Sequence, residues 1–308
     1  MKRDLPSSCR TVIKVRKGGI RLERLLNYIY EEKEKDENTL GILFVKKEVD
    51  TKKNSNEFGA VIVVVTEGET HQVVKHFDVN GQTVEMHAIN KGEISRVLIT
   101  GNNRRLVDWL LNGTVVFEKN EYITHLKRKI VEFPINDRKY KMTIEFTKLI
   151  RRYVDGNKLF QQGHFLDAFN SILHSLHHLA RLSVIEHGYY PEVTVWEQVK
   201  QIEPEIYKLY HELVVGEEAL EKRIELLLIA NNFALTSKTK IGASHLLEIM
   251  KEADEALSIE KLSEHHEVNE YAVDLVVLVE YLVQKGLVDI VKRQVGNESI
   301  FERLYIVK

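Results

Sequence analysis

Between positions 22 and 134, short apolar runs alternate with polar segments, a pattern typical of strands joined by turns and helices. Helical spacing of apolar residues predicts a helix over 23–34, and the apolar run 39–45 predicts a strand. The β-branched run 59–66 predicts a central strand that is buried on both faces. The other elements predicted here are extended segments 72–79 and 82–89 around the hairpin signal Asn80-Gly81, a helix over 104–111 and a strand over 114–117.

After Pro134 the apolar positions recur at helical spacing over long segments, which predicts a helical bundle. The predicted helices are 140–155 ending near Gly156, 164–187 ending at Gly188, 196–214 with a break before Pro204, and 217–232. The last segment predicts a helix over 243–256, a short helix capped by Ser258, a helix over 269–285, and strands 287–293 and 300–307. This order of elements is that of a winged helix.

The amino-acid composition excludes several classes of protein. The 308 residues include 44 Lys and Arg against 46 Asp and Glu, and this near balance argues against a protein dominated by nonspecific binding to nucleic-acid phosphates. The single cysteine, Cys9, excludes a disulfide scaffold and a multi-cysteine zinc site. The longest apolar runs, such as 61–65, are too short to span a bilayer, and no signal peptide is recognisable. We therefore predict a cytoplasmic protein with no membrane partner.

The first 21 residues differ from the rest of the chain. They carry seven basic residues and one acidic residue, a net charge of +6, whereas residues 22–308 carry −8. A disordered basic arm and a nucleic-acid-binding tail are two interpretations. The third is a non-native extension, because Lys17-Gly18-Gly19 is compatible with a ribosome-binding site in the gene and Leu22 with a TTG start codon. Mass spectrometry of native peptides from 12–17 would contradict that third interpretation.

Four short segments carry a resemblance to a known family. They read NTLGIL (38–43), GNNRR (101–105), VxWLLNG (107–113) and FxxNEY (117–122). With the order of elements, they resemble a nucleotidyltransferase-like family of Gram-positive bacteria over residues 22–308. The resemblance implies an α+β multidomain fold that consists of a nucleotidyltransferase-like mixed sheet with helices over 22–134, an all-α bundle over 135–237 and a winged helix-turn-helix over 238–308.

The bundle also resembles a substrate-binding region. Residues 177–196 are similar to the substrate-side bundle of minimal and aminoglycoside nucleotidyltransferases. The resemblance implies a cleft between the α/β domain and the bundle that binds a nucleotide or a protein partner. The candidate ligand-binding residues are Gly41, Lys46, Lys47, His174, His178 and Arg181.

The same resemblance implies which residues nucleotidyl transfer requires. Active members carry a Gly-Ser pair after the first strand and an Asp-x-Asp on the next strand, and such carboxylates hold two metal ions about 4 Å apart. Here the corresponding segments read VKKE (45–48) and EFGAVI (57–62), and neither aspartate is present. Glu57 and Glu85 are the nearest candidate catalytic carboxylates. We therefore predict a catalytically degenerate protein with no assigned cofactor, and an active Mg²⁺-dependent nucleotidyltransferase is the alternative.

Histidines and an arginine mark one face of the helix predicted over 164–187. His174, His178 and Arg181 recur at positions i, i+4 and i+7. Because no H-E-x-x-H pattern accompanies them, we favour a polar stripe and assign no metal ligand. The spacing from Arg181 to His187 also fits HEPN ribonucleases, whose bundles resemble this one. Six residues rotate a helix by about 600°, so these two side chains share no face, and ribonuclease activity is a minor alternative.

The predicted winged helix is acidic. Residues 258–308 contain six basic and nine acidic side chains, a net charge of −3. Since phosphate neutralisation supplies much of the affinity for DNA, this charge favours a protein-interaction module. Lys292 and Arg293 of the predicted wing are the candidate nucleic-acid contacts, and a DNA-binding regulator is a further alternative function.

Overall fold

The computed structural model of the chain describes residues 20–46, 59–68, 73–79, 82–296 and 299–308, without the side chains of 20–23 and 82. The Cα positions divide the chain into two compact units. The first, the α/β unit, comprises the residues up to 98 and residues 102–131. The second, the helical unit, comprises residues 99–101 and 132–308. The basic tail predicted at the start of the chain lies outside the described residues as far as position 19.

The α/β unit contains a five-stranded mixed sheet. Its elements are α1 (Ile20–Glu34), β1 (Thr39–Lys46), β2 (Ala60–Thr66), β3 (Val73–Val79), β4 (Gln82–Asn90), α2 (Lys91–Thr100), α3 (Arg104–Asn112), β5 (Thr114–Glu118) and α4 (Tyr122–Glu132). The strand order is β3-β4-β2-β1-β5. Strands β2 and β4 are parallel, and the other neighbouring pairs are antiparallel. The mixed α/β sheet predicted from the sequence is confirmed.

Local sequence signals explain most of this sheet. Every residue of β2 is buried, as expected for a β-branched run in the centre of a sheet. The predicted hairpin is confirmed because Val79 of β3 lies opposite Gln82 of β4, although its turn at 80–81 lies outside the described residues. Neither α2 nor α4 is predicted from the sequence. A cap nevertheless marks the start of α2, where the backbone N–H of Glu93 donates to Asn90 Oδ1 at 2.7 Å.

The helical unit combines long helices with a two-stranded ribbon. Its elements are α5 (Ile135–Gln161), α6 (Phe165–Glu186), α7 (Val195–Ile202), α8 (Pro204–Val215), α9 (Leu220–Gly242), α10 (Ser244–Glu252), α11 (Ile259–Glu264), a short 3-10 helix (Ala272–Asp274), α12 (Leu275–Gln284), β6 (Val288–Gln294) and β7 (Phe301–Val307). The predicted break before Pro204 and the predicted ribbon are both confirmed. So is the Ser258 cap, whose side chain accepts a hydrogen bond from the backbone N–H of Lys261.

Several predicted helix limits are wrong. Helix α5 begins at Ile135 and not at 140, and α10 ends at Glu252 and not at 256. Gly156 does not end α5, which continues to Gln161, because the glycine lets α6 approach: a Cβ at 156 would lie 2.7 Å from Ile172 Cδ1. Helix α9 continues ten residues past the predicted end at 232. The helix predicted over 269–285 is shorter, since a turn and a 3-10 helix precede α12 and Tyr271 is buried in that turn.

The bundle and the C-terminal elements share one hydrophobic core. Phe146 of α5 packs edge-on against Tyr281 of α12, with 5.9 Å between the ring centroids. The hydroxyl groups of Tyr281 and Thr239 in α9 lie 3.3 Å apart. The predicted domain limit at 237–238 falls inside α9, so the core is continuous across it. Among the described helices, none has both the length and the apolar composition that crossing a membrane requires.

Candidate functional site

A buried carboxylate lies at the centre of a polar cluster between α5 and α6. The side chain of Glu145 on α5 is 3% exposed. His178 Nδ1 on α6 donates to Glu145 Oε2 at 2.7 Å, and Arg181 Nη1 lies 3.8 Å from the same oxygen. Burial alone raises the pKa of Glu145, but the hydrogen bond and charge of His178 and the charges of Arg181 and Lys148 outweigh burial and lower the pKa to about 2. Glu145 is therefore an anion that the protein holds ionised.

The surroundings of Glu145 are electropositive. Burial lowers the pKa of His174, and the positive charges of Arg152, His178 and Arg181 lower it further. Part of this shift therefore comes from the positive charges that surround His174. The group is named here the α5–α6 cluster, and its members are Glu145, Lys148, Arg152, His174, His178 and Arg181.

The α5–α6 cluster has unused hydrogen-bond donors. Arg181 Nε is buried and has no hydrogen-bond partner among the described residues, and its Nη1 is too far from Glu145 for a direct bond. His174 is exposed, so the cluster opens to solvent at one end. A guanidinium group with free donors beside positive charges binds planar or tetrahedral anions such as carboxylates and phosphates. The structure thus brings together His174, His178 and Arg181, which the sequence predicts.

The candidate metal ligands of the described residues lie outside the α5–α6 cluster, and a lysine side chain pairs with two of them. Within the described residues, the one group of three candidate metal ligands consists of Glu186, His187 and Glu203. Lys238 Nζ lies 2.5 Å from Glu186 Oε2 and 2.8 Å from Glu203 Oε1. Burial lowers the pKa of Lys238, but its hydrogen bonds to both carboxylates and their charges outweigh burial and raise it. The ammonium group already supplies the cation that these carboxylates need.

The two residues of the ribonuclease alternative contact different partners. Arg181 lies beside Glu145 of α5, whereas His187 Nδ1 lies 2.9 Å from the backbone oxygen of Ser183 and 3.7 Å from Glu203 Oε1. No acid or base of the described residues joins the two. The geometry therefore gives the HEPN interpretation no support.

The α/β unit places a single described carboxylate at the predicted catalytic positions. Glu85 on β4 is 18% exposed, and its carboxylate lies 3.0 Å from His87 Nε2. It is partly buried. Val61 lies directly opposite it on the parallel strand β2 and offers no carboxylate. Glu57, the other candidate, lies outside the described residues.

The predicted ligand contacts of β1 differ in their surroundings. Gly41 is buried, and a Cβ there would lie 2.8 Å from Ile123 Cδ1 of α4, so the glycine has a packing role. Lys46 is exposed at the end of β1. Lys47 lies outside the described residues. Ligand binding by these three residues stays a prediction.

The two candidate nucleic-acid contacts on β6 also differ. Arg293 Nε donates to Glu302 Oε2 of β7 at 3.1 Å, so its charge is paired. Lys292 is exposed and lies opposite Arg303. The adjacent helix α12 presents apolar Val276 to solvent and has one charged residue, Glu280.

Sequence reasoning missed Glu145, the partner that connects the predicted histidines and arginine. The signal is a carboxylate between the two large apolar residues Ile144 and Phe146, both of which are buried. A charged residue in such a place requires a partner of opposite charge. Only the packing of α5 against α6 identifies that partner as His178.

Three family models match successive parts of the chain. Family models described as nucleotidyltransferase-like, YgxA-like substrate binding domain and helix-turn-helix domain match residues 22–138, 139–238 and 244–307. The chain is 40% identical to the uncharacterized protein YgxA of Bacillus subtilis (strain 168) over 93% of this chain and 98% of that protein. A solved structure of a nucleotidyltransferase-like protein from Exiguobacterium sibiricum 255-15 is similar, with a TM-score of 0.82, 38% identity and coverage of 93% and 99% of the two chains.

Proposed function

The chain belongs to the nucleotidyltransferase-like family that includes YgxA of Bacillus subtilis, and we propose that it binds the phosphate groups of a nucleotide without transferring them. The α5–α6 cluster carries this proposal. It lies in the segment that matches a substrate-binding domain. Its basic side chains outnumber its single carboxylate, and Arg181 keeps donors free within the described part of the chain. Such a group suits a phosphate anion.

The sheet supports binding without transfer. Nucleotidyl transfer by two metal ions needs carboxylates on neighbouring strands to hold both ions. Opposite Glu85 stands Val61, which is fully buried and cannot bind a metal ion. The carboxylate of Glu85 itself lies 3.0 Å from His87 Nε2. These features favour a degenerate catalytic sheet joined to a functional binding bundle.

A nucleotide is expected to stabilise the chain through Arg181. Each ribonucleoside triphosphate is added with and without Mg²⁺, and the melting temperature is measured. A ligand at one hundred times its Kd stabilises the native state by about 2.7 kcal/mol, so a weak site remains detectable. Arg181→Gln should weaken binding about tenfold or more, because a hydrogen bond to a charged group contributes about 1.5–3 kcal/mol.

The matched control for this measurement is Arg151→Gln, which removes an exposed arginine of α5 that pairs with Asp155. It should leave nucleotide binding unchanged. The proposal is wrong if no triphosphate changes the melting temperature, or if Arg181→Gln retains the full shift. A shift that requires Mg²⁺ and disappears in Glu85→Gln would instead support the active enzyme.

DNA binding is the second candidate function, because residues 244–307 match a helix-turn-helix family model. Residues 258–308 carry a net negative charge, and Arg293 is paired with Glu302. Few cationic side chains therefore remain to bind the phosphates of DNA. We expect at most weak duplex binding that disappears as salt approaches physiological concentration, measured by fluorescence anisotropy. Lys292→Ala should abolish that residual binding, and Lys261→Ala serves as control. Point variants replace truncation because the C-terminal elements share the core of the bundle. Tight duplex binding that persists at physiological salt would instead support the DNA-binding regulator.

A further inference from the structure

We propose that the ligand of the α5–α6 cluster carries a planar nucleobase, which packs against the ring of His177 and accepts a hydrogen bond from Trp196 Nε1. The inference rests on the proposed function and adds to it the part of the ligand beyond the phosphates. The feature that carries it is named here the α6–α8 aromatic group. Its members are His177 of α6, Trp196 of α7 and Tyr210 of α8.

The α6–α8 aromatic group adjoins the α5–α6 cluster along α6. His177 follows His174 by three residues and precedes Arg181 by four, so its side chain is a neighbour of both on the helix surface. At about 100° per residue, those two neighbours point between the directions of His177 and His178. His178 contacts Glu145 of α5, whereas His177 contacts the rings of α7 and α8. The outward face of α6 therefore has Arg181 near its middle and the aromatic rings along the edge away from α5.

The three rings are packed against one another, and His177 lies at the side of a stack. Trp196 and Tyr210 are stacked, with 3.9 Å between their centroids and 19° between their planes. The centroid of His177 is 5.0 Å from that of Trp196 and 6.0 Å from that of Tyr210, at interplanar angles of 61° and 69°. A ring on top of the stack would be near one centroid and far from the other, so His177 stands beside both. Because all three rings are partly exposed, they offer a surface on which a base can stack.

The aromatic group also has an unused hydrogen-bond donor. Trp196 Nε1 is buried from solvent and finds no acceptor in the described part of the chain. A buried indole N–H usually has a partner, because an unmade hydrogen bond costs the desolvation of the group. Arg181 Nε of the neighbouring cluster is unpartnered in the same way among the described residues. A ligand with an anionic end and a planar end that accepts hydrogen bonds suits both donors, and a nucleotide combines these two ends.

Comparing a nucleotide with a bare polyphosphate tests this inference separately from the proposed function. Isothermal titration calorimetry of the full chain uses each ribonucleoside triphosphate and inorganic tripolyphosphate, which has three phosphates but no ribose or base. We expect the best-bound nucleotide to bind about tenfold or more tightly than tripolyphosphate, because a base that stacks on an aromatic side chain adds to the affinity. If tripolyphosphate binds as tightly and requires Arg181, phosphate binding stands and this inference is overturned. If neither ligand binds, both proposals fail.

Substitutions test the rings. His177→Ala should weaken nucleotide binding about tenfold and leave tripolyphosphate binding unchanged, whereas His177→Phe keeps a ring and should retain most of the affinity. Trp196→Phe keeps the stack but removes the Nε1–H donor, so it should weaken nucleotide binding about two- to tenfold. The matched control is His164→Ala, because His164 is exposed before the start of α6 and its side chain makes no capping hydrogen bond. Circular dichroism verifies that each variant keeps its helix content.

Two results with these variants would overturn the inference. One is full nucleotide affinity in His177→Ala, and the other is a loss in His177→Phe as large as the loss in His177→Ala.

Fluorescence provides a readout at the aromatic group itself. The chain has two tryptophans, Trp109 and Trp196, so Trp109→Phe leaves Trp196 as the single emitter. We expect a saturating nucleotide to change the emission of Trp196 and tripolyphosphate to leave it unchanged. If a nucleotide that binds by calorimetry leaves this emission unchanged, the base lies elsewhere and the inference is wrong.

Discussion

Replacing Glu145 with alanine is expected to destabilise the chain by about 3–5 kcal/mol, the range measured when one partner of a buried ion pair is removed. The variant leaves His178 and Arg181 without their anion, and His178 loses the acceptor that lies 2.7 Å from its Nδ1. It also creates a small cavity between α5 and α6. Chemical denaturation followed by circular dichroism measures the loss in the free energy of unfolding.

Glu145→Gln separates charge from shape. The amide has the same size and still accepts a hydrogen bond from His178, so we expect a smaller loss than in the alanine variant. Lys158→Gln changes an exposed residue of the same helix outside the α5–α6 cluster and should have little effect. If the alanine variant unfolds at the denaturant concentration of the unmodified chain, the ion pair does not stabilise the fold.

The same carboxylate predicts how stability depends on pH. The folded chain lowers the pKa of Glu145 from its ordinary value of 4.5 to about 2. The unfolded chain therefore binds the proton first as pH falls, so the contribution of Glu145 is complete above about pH 4.5. It is lost as pH falls from there to about 2. Glu145→Gln should show a shallower loss of stability across this window than the unmodified chain.

Replacing Gly242 with valine is expected to destabilise the helical unit by about 3 kcal/mol, the upper part of the range for overpacking. A Cβ at position 242 would lie 2.6 Å from Phe146 Cδ2, and the ring is fully buried in the shared core. Helix propensity acts in the opposite direction, since glycine in a helix costs about 1 kcal/mol relative to alanine. The steric clash should outweigh it, and thermal unfolding measures the result.

A second substitution tests whether the clash is the cause. Phe146→Leu shortens the side chain that occupies the space beside Gly242. The double variant should lose less stability than the sum of the losses of the two single variants. The reason is that the effects of substitutions at residues in contact are not additive. Strict additivity, or a Gly242→Val protein as stable as the unmodified chain, would contradict the packing argument.

Some features of this protein follow from short stretches of sequence alone. The β-branched run of β2, the Asn80-Gly81 hairpin signal, the break at Pro204 and the Ser258 cap each depend on residues that are adjacent in the chain. Backbone propensity, capping and turn chemistry act over a few residues, so a single sequence suffices to predict them. The resemblance to nucleotidyltransferase-like proteins rests on the order of such elements, and the family matches confirm it.

Other features depend on which helices meet. Gly156 looks like a helix end in the sequence, yet it is the point where α5 accommodates Ile172. Glu145 looks like an ordinary surface carboxylate, yet it is buried against His178, 33 residues away. The direction in which a side chain points is set by the helix period, but its partner is set by packing between distant segments. Periodicity therefore predicted the histidine face of α6, and only the tertiary structure determined that a buried anion lies beneath it.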